Sequence, residues 1–155
     1  MELRGFASED EAMARGREVW SKKLTVTDAQ RQQGNPTGDL RLVQAQKNNT
    51  RPIEQTTYFR NEVFGSLIWH AEKDEPYVEV AQVDFDVTLM GTHYGNHILT
   101  VSHKPTGEAK QGNYTTNIRW GSLASILHSI DISDRILRLY APAAGSTTPF
   151  FIVVE

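Results

Sequence analysis

A mainly β domain with a few short helices, folded as a small barrel or open pseudobarrel, is what this sequence predicts. Three observations carry that expectation. Val83, Phe85, Val87 and Leu89 alternate with Gln82, Asp84, Asp86 and Thr88, and Tyr114, Thr116, Ile118 and Trp120 alternate with Thr115, Asn117 and Arg119, a period of two that marks half-buried strands. Short apolar stretches are separated by Gly, Pro and Asn clusters rather than by long amphipathic runs. Only two stretches carry helix signals, so strands must supply most of the core. At 155 residues with 39% hydrophobic content, the chain suits one domain over 1–155.

The elements follow in order. Ser8 and Glu11 form a capping box, which predicts a short amphipathic helix to about Arg17 within an N-terminal lead-in over 1–18. Residues 18–24 and 40–46 read as strands on either side of a polar loop in which Gly34, Asn35, Pro36 and Gly38 supply turn chemistry. Residues 57–69 are apolar without a clean period and carry no assignment. Val78 and Val80 are out of phase with the set beginning at Val83, which predicts a bulge near Ala81 and Gln82. Residues 91–96 read as a turn, 97–102 as a strand, and Ser122 as the cap of a two-turn helix over 123–130. Residues 136–140 and 150–154 close the chain as strands, with a Gly- and Pro-containing connection at 141–146.

There are no cysteines, so disulfides and thiolate zinc sites are excluded and a reducing cytoplasm is the expected compartment. No secretory segment and no apolar run of about 18 residues is present, which argues against export and against spanning a membrane. The net charge is −3, unfavourable at first sight for a polyanionic partner. Its distribution is uneven. Residues 22–60 hold seven Lys or Arg against three acids, a balance of +4, and 103–120 hold three against one, +2; residues 61–90 hold seven acids against Lys73, −6. A segregated field of this kind steers a charged ligand more than the sum does.

Two segments stand out, 25–39 and 103–119. Both are rich in Gln, Asn, Thr and basic residues, are nearly free of aliphatic side chains, and contain Gly that permits close backbone approach. Paired donors and acceptors with a few fixed positive charges are the groups that read base edges and hold phosphates of duplex DNA. No enzyme signature accompanies them. Glu79, Asp84 and Asp86 lack the Lys that a metal-dependent nuclease requires, and the two aspartates lie on the polar side of a strand. His93, His97 and His103 do not share a helix face and have no thiolate or carboxylate completing a zinc set. No Ser occupies a Gly-x-Ser-x-Gly elbow. Trp69 and Trp120 are expected to pack in the core or at loop roots.

Residues 22–43, 57–64 and 104–121 together resemble the DNA-recognition domain of type II restriction endonucleases of the EcoRII, BfiI and NgoFVII kinds, a member of the plant B-three pseudobarrel superfamily, over roughly 20–154. The resemblance implies an open seven-stranded barrel whose N-arm (25–39) and C-arm (103–119) grip the major groove, binding as a monomer without a cofactor and without a nuclease centre. Carried onto this chain, it implies base contacts from Thr27, Asp28, Gln30, Arg31, Gln32, Gln33, Asn35 and Thr37 of the N-arm. Those from the C-arm would be Gln111, Asn113, Tyr114, Thr115, Thr116 and Asn117. Lys22, Lys23, Thr25, Arg41, Arg51, Arg60, Lys110 and Arg119 would hold phosphates. Arg31 is the first candidate for guanine, Asp28 for a cytosine amino group, and Gln30, Gln32, Asn35, Gln111 and Asn113 for adenine. A chain opening at Met1 with a short helix fits the arrangement in which a nuclease domain follows, one that itself uses a divalent metal. Two other readings stay open: a stand-alone DNA-binding regulator, and a barrel whose polar loops meet a neutral ligand.

Overall fold

The computed structural model describes residues 16–31, 38–42, 57–74, 77–104, 115–142 and 149–155. Eight strands occur among them: β1 (Arg17–Lys23), β2 (Asp39–Leu42), β3 (His70–Ala71), β4 (Glu79–Leu89), β5 (Thr92–Lys104), β6 (Thr115–Arg119), β7 (Ile136–Ala141) and β8 (Phe150–Val154). They form one sheet in the order β1-β7-β8-β4-β5-β6-β2, with β3 added beside β4. Every pairing is antiparallel except β4 with β8.

The sheet is curled into an open half-barrel, and the chain between its two edges shows why it must be. In a flat sheet, six interstrand steps of about 4.8 Å would hold β1 and β2 about 29 Å apart. Leu24, just past β1, donates its N–H to Arg135 O beside β7, while Gln30 reaches Asp39 O on β2 at 3.4 Å. The five residues between are coiled into tight turns, with Ala29 N–H on Thr25 O and Arg31 N–H on Val26 O. Such a turn cannot bridge a flat sheet, so the edges approach one another.

The concave side holds the core. Trp20, Trp120, Phe59, Phe64 and Phe85 are its largest fully buried side chains. Trp20 meets Phe59 edge-on at 5.8 Å, and Phe64 and Phe85 both pack on Phe150, at 5.1 and 6.0 Å. Phe59 and Phe64 come from the segment without sequence periodicity, which forms one π-helical turn over Tyr58–Val63 and plugs the barrel. A wide turn flanked by an extended end explains the missing period, since it matches neither 3.6 nor 2. Gly65 ends it: a Cβ there would lie 2.1 Å from Asn61 O. Gly65→Ala is therefore expected to destabilise the domain by about 3 kcal/mol, because the obstructing atom is backbone. A urea midpoint unchanged from wild type would refute this.

Several expectations need correction. Arg17 begins β1 rather than ending a helix; the rest of the expected helix lies outside the described residues, as do 43–46 of the second expected strand and 143–148 of the connection before β8. No bulge occurs at Ala81 and Gln82, since β4 and β5 stay in register from Glu79 to Val87. Val80, flanked by His70 of β3 and Ser102 of β5, is buried like its neighbour Ala81. Both faces are covered there, so burial need not alternate. The irregularity of the β4–β5 ladder is at Val87/Thr88, where β5 accommodates Tyr94 as an extra residue. The expected turn over 91–96 shrinks to Met90 and Gly91, whose φ values of 52° and 84° make the two-residue hairpin loop that suits a twisted ladder. Ser122 does not cap a helix: its Oγ lies 2.8 Å from His97 Nδ1. A 3-10 turn (Gly121–Leu123) leads instead into a short helix, α1 (Ala124–Ser129). Asp84 and Asp86 occupy the convex face, where they bond Asn96 Nδ2 and His93 Nε2.

Candidate nucleic-acid interface

The first polar segment starts as a folded turn. Thr25 and Asp28 bond reciprocally, Thr25 N–H to Asp28 Oδ2 at 2.9 Å and Asp28 N–H to Thr25 Oγ1 at 3.1 Å. Lys22 Nζ lies 2.9 Å from the same Oδ2, and Trp120 Nε1 donates to Asp28 O at 3.0 Å. Gln30, at φ 60°, spans the segment: its Nε2 donates to Thr27 O at 2.8 Å, while its Oε1 accepts the Gly38 N–H at 2.6 Å. Arg31 turns to α1, donating from one terminal nitrogen to Leu127 O and Ile130 O, with Asp131 near its Nε at 3.9 Å. A guanidinium at the free carbonyls of a helix end satisfies both hydrogen bonding and the helix dipole.

This placement corrects the picture of an exposed arm at its base. Asp28 and Gln30 are each 5% exposed, and Thr116 of the second segment is fully buried with its Oγ1 2.8 Å from His103 Nδ1. Asp28, Gln30, Arg31, Thr25 and Thr116 all have work inside the fold. Thr27 is half-buried beside them. Gln32, Gln33, Asn35, Thr37, Arg51, Lys110, Gln111, Asn113 and Tyr114 lie outside the described residues, and of Thr115 only the backbone is described, as the first residue of β6.

Folding also joins the basic and acidic parts of the sequence at two places. Arg60 holds Glu79 through two bonds, at 3.0 and 3.2 Å, and Arg119 holds Glu72 through two more, at 2.7 and 2.9 Å. Each pair joins the basic part of the sequence to the acidic part. The guanidinium bonds hold the Glu72 and Glu79 carboxyls below the usual carboxylate range. Burial pushes the Asp39 carboxyl up, against the pull of Arg119 beside it. Lys23 pairs with Asp134 at 3.2 Å, both well exposed, an arrangement worth little. Opposite-sign blocks of sequence were the available signal for these pairs, read instead as a field.

What remains is the convex face of β6 and β2. The register sets Arg41 opposite Asn117, and Asn117 opposite Ser102 of β5. Leu40, Leu42, Thr116 and Ile118 point into the core, so alternation sends Arg41 and Asn117 to the other side. Arg41 is exposed and forms no ion pair with a described residue. Asn117 carries a buried Oδ1 with no hydrogen-bond partner. The ladder is four residue pairs long, and both polar segments are rooted on it. The first enters where Trp120 N–H meets Gly38 O, at 2.9 Å, and the second enters at Thr115, beside the Leu42–Thr116 pair. Trp120 is wholly buried and Trp69 partly so, its Nε1 on Phe64 O and its ring under Arg60.

Comparison with protein-family models, with curated proteins and with solved structures finds no match for this chain. Among the described residues no helix is long and apolar enough to cross a membrane.

Proposed function

We propose that this chain is a sequence-specific double-stranded DNA-binding domain of the B-three pseudobarrel type, with the duplex lying across the convex face of β6 and β2. The β2–β6 ladder carries the reading. Its three steps of about 3.4 Å separate the roots of the two polar segments by about 10 Å, close to the width of a major groove, about 12 Å. Between the roots stand Arg41, with five donors, and Asn117, whose buried and unpartnered Oδ1 gains an acceptor's role only if the side chain turns outward to a base. The turn over 25–31 then acts as a rigid base for the residues that follow it, not as the reading surface. Base contacts fall to Asn117 and Thr115 and, from the sequence pattern, to Gln32, Gln33, Asn35, Thr37, Gln111, Asn113 and Tyr114. Arg41 joins Arg51 and Lys110 as a cation for the backbone or a guanine.

The family resemblance supports a role as the target or effector recognition domain of a type II restriction endonuclease, acting beside a nuclease domain of the same polypeptide and requiring no metal to bind. On this reading Arg41→Ala weakens duplex binding by about 1–3 kcal/mol, while Lys23→Ala, which removes only an exposed pair with Asp134, changes it little. Fluorescence anisotropy with a labelled duplex of the selected site measures both; equal effects would refute the placement. One observation favours a second reading, a barrel for a neutral ligand: Lys22, Lys23, Arg60 and Arg119 are all held in internal ion pairs. Binding that is indifferent to salt would select it, since phosphate contacts release counterions.

A further inference from the structure

His103 is the last inward-facing residue of β5 and is 4% exposed. Its Nδ1 lies 2.8 Å from Thr116 Oγ1, and the two residues are directly paired across the ladder, so a side-chain bond fastens the rungs next to the ladder's open end. Trp69 meets the imidazole edge-on at 6.5 Å. Glu79, paired with His103 across β4 and β5, comes from one side, and Arg60 of the π-helical turn lies over Trp69 at 4.4 Å. Lys104 turns away, its Nζ over the Tyr77 ring at 6.0 Å. Arg60 and Glu79 are thus the charged groups that face the ring from the packed elements.

We infer that His103 is a proton-sensitive lock on the open end of the β5–β6 ladder: the neutral imidazole fastens Thr116, and protonation releases it. The reason is a shortage of anions. The carboxylate facing the ring is already committed to Arg60 by two hydrogen bonds. A proton on His103 would set a second cation on that one carboxylate, and would do so on a ring that is itself shut off from solvent. The ring relieves this by moving out to solvent, which parts it from Thr116. Consistent with that geometry, burial holds the His103 pKa below its ordinary value, with Arg60 adding to the effect and Glu79 opposing it. The sign follows: above about pH 6.5 both the closed and open forms are neutral and the lock holds, and as pH falls below that value the open form takes up the proton first and gains population.

Amide hydrogen exchange of the full chain, followed by NMR at about pH 7.5 and pH 5.5 across the histidine range, tests the lock. After correction for intrinsic exchange, amides from Val101 to Lys104 and from Thr115 to Ile118 should lose several-fold more protection at the lower pH in wild type than in His103→Gln. Amides of the β1–β7 ladder should keep theirs in both proteins. Equal acid loss in wild type and variant, or loss spread evenly over β1–β7, would overturn the proposal. Should His103→Gln not fold, the imidazole Cε1–H shift of wild type decides: a midpoint below the ordinary histidine value supports the lock, and one at or above it refutes the idea. Neither readout depends on a nucleic-acid partner. If the DNA reading also holds, acid should weaken binding, because the released Thr116 adjoins Asn117.

Discussion

Trp120→Ala should lower the stability of the domain by about 4 kcal/mol, the largest loss expected from any single substitution considered, against the 5–15 kcal/mol typical of folded domains. Trp120 is fully buried, and its ring belongs to the central core. Its Nε1 donates to Asp28 O and its own N–H to Gly38 O, so the same residue ties the end of β6 to both ends of the first polar turn. Alanine would leave a cavity of nearly the whole indole and remove the shorter of the two hydrogen bonds to Asp28 O. Trp120→Phe separates the two effects: it refills most of the space yet still lacks the N–H, and should retain a deficit of about 1 kcal/mol, because Asp28 O is left with only the longer bond from Gln30 Nε2, at 3.3 Å. Urea denaturation followed by circular dichroism measures both. A loss below about 1 kcal/mol for the alanine variant would mean that the indole is not the keystone of the turn.

Gln30→Ala is expected to cost about 3 kcal/mol, an effect more typical of a core residue than of a loop glutamine. The side chain is 5% exposed and closes the polar segment on itself, donating to Thr27 O and accepting from Gly38. Its loss takes the acceptor from the Gly38 N–H and leaves Thr27 O with the Gln30 backbone N–H alone. The backbone adds a second term, because Gln30 sits at φ 60°, a region any L side chain adopts at some strain. Gln30→Gly should therefore be milder than Gln30→Ala by about 1 kcal/mol, despite removing the same hydrogen bonds. Equal losses would show that strain plays no part. If Gln30 instead projected from an exposed arm, both variants would be near neutral in stability.

Much of the fold was legible in the sequence because strands alternate. The run from Val83 to Leu89 and the run from Thr116 to Trp120 are buried at alternate positions as their pattern requires, and the closing strands fall where they were expected. The failures have physical causes. At Val80 and Ala81 both faces of β4 are covered, and a period of two no longer reports which face is buried. The stretch from Thr92 to Asn96 carries Gly, His and Asn and reads as a loop, yet the long β4–β5 hairpin extends through it because a two-residue turn suffices. The polar segments were conspicuous, but composition does not say where a side chain points. Gln30 and Arg31 look like groups for an outside partner, and the fold uses them on backbone carbonyls of its own. Arg41 and Asn117, by contrast, belong to paired strands whose alternation does specify their side, and that side is the convex face.

On the proposed reading, the β6–β2 face binds a specific duplex. Selection of sites from randomised double-stranded DNA by the full chain, without divalent metal and at two salt concentrations, tests it most directly. The expected result is one enriched motif of about five or six base pairs, bound less tightly at the higher salt and less tightly by Arg41→Ala. No enrichment, with any binding indifferent to salt and to Arg41, would contradict the account and leave the neutral-ligand barrel as the reading of this fold.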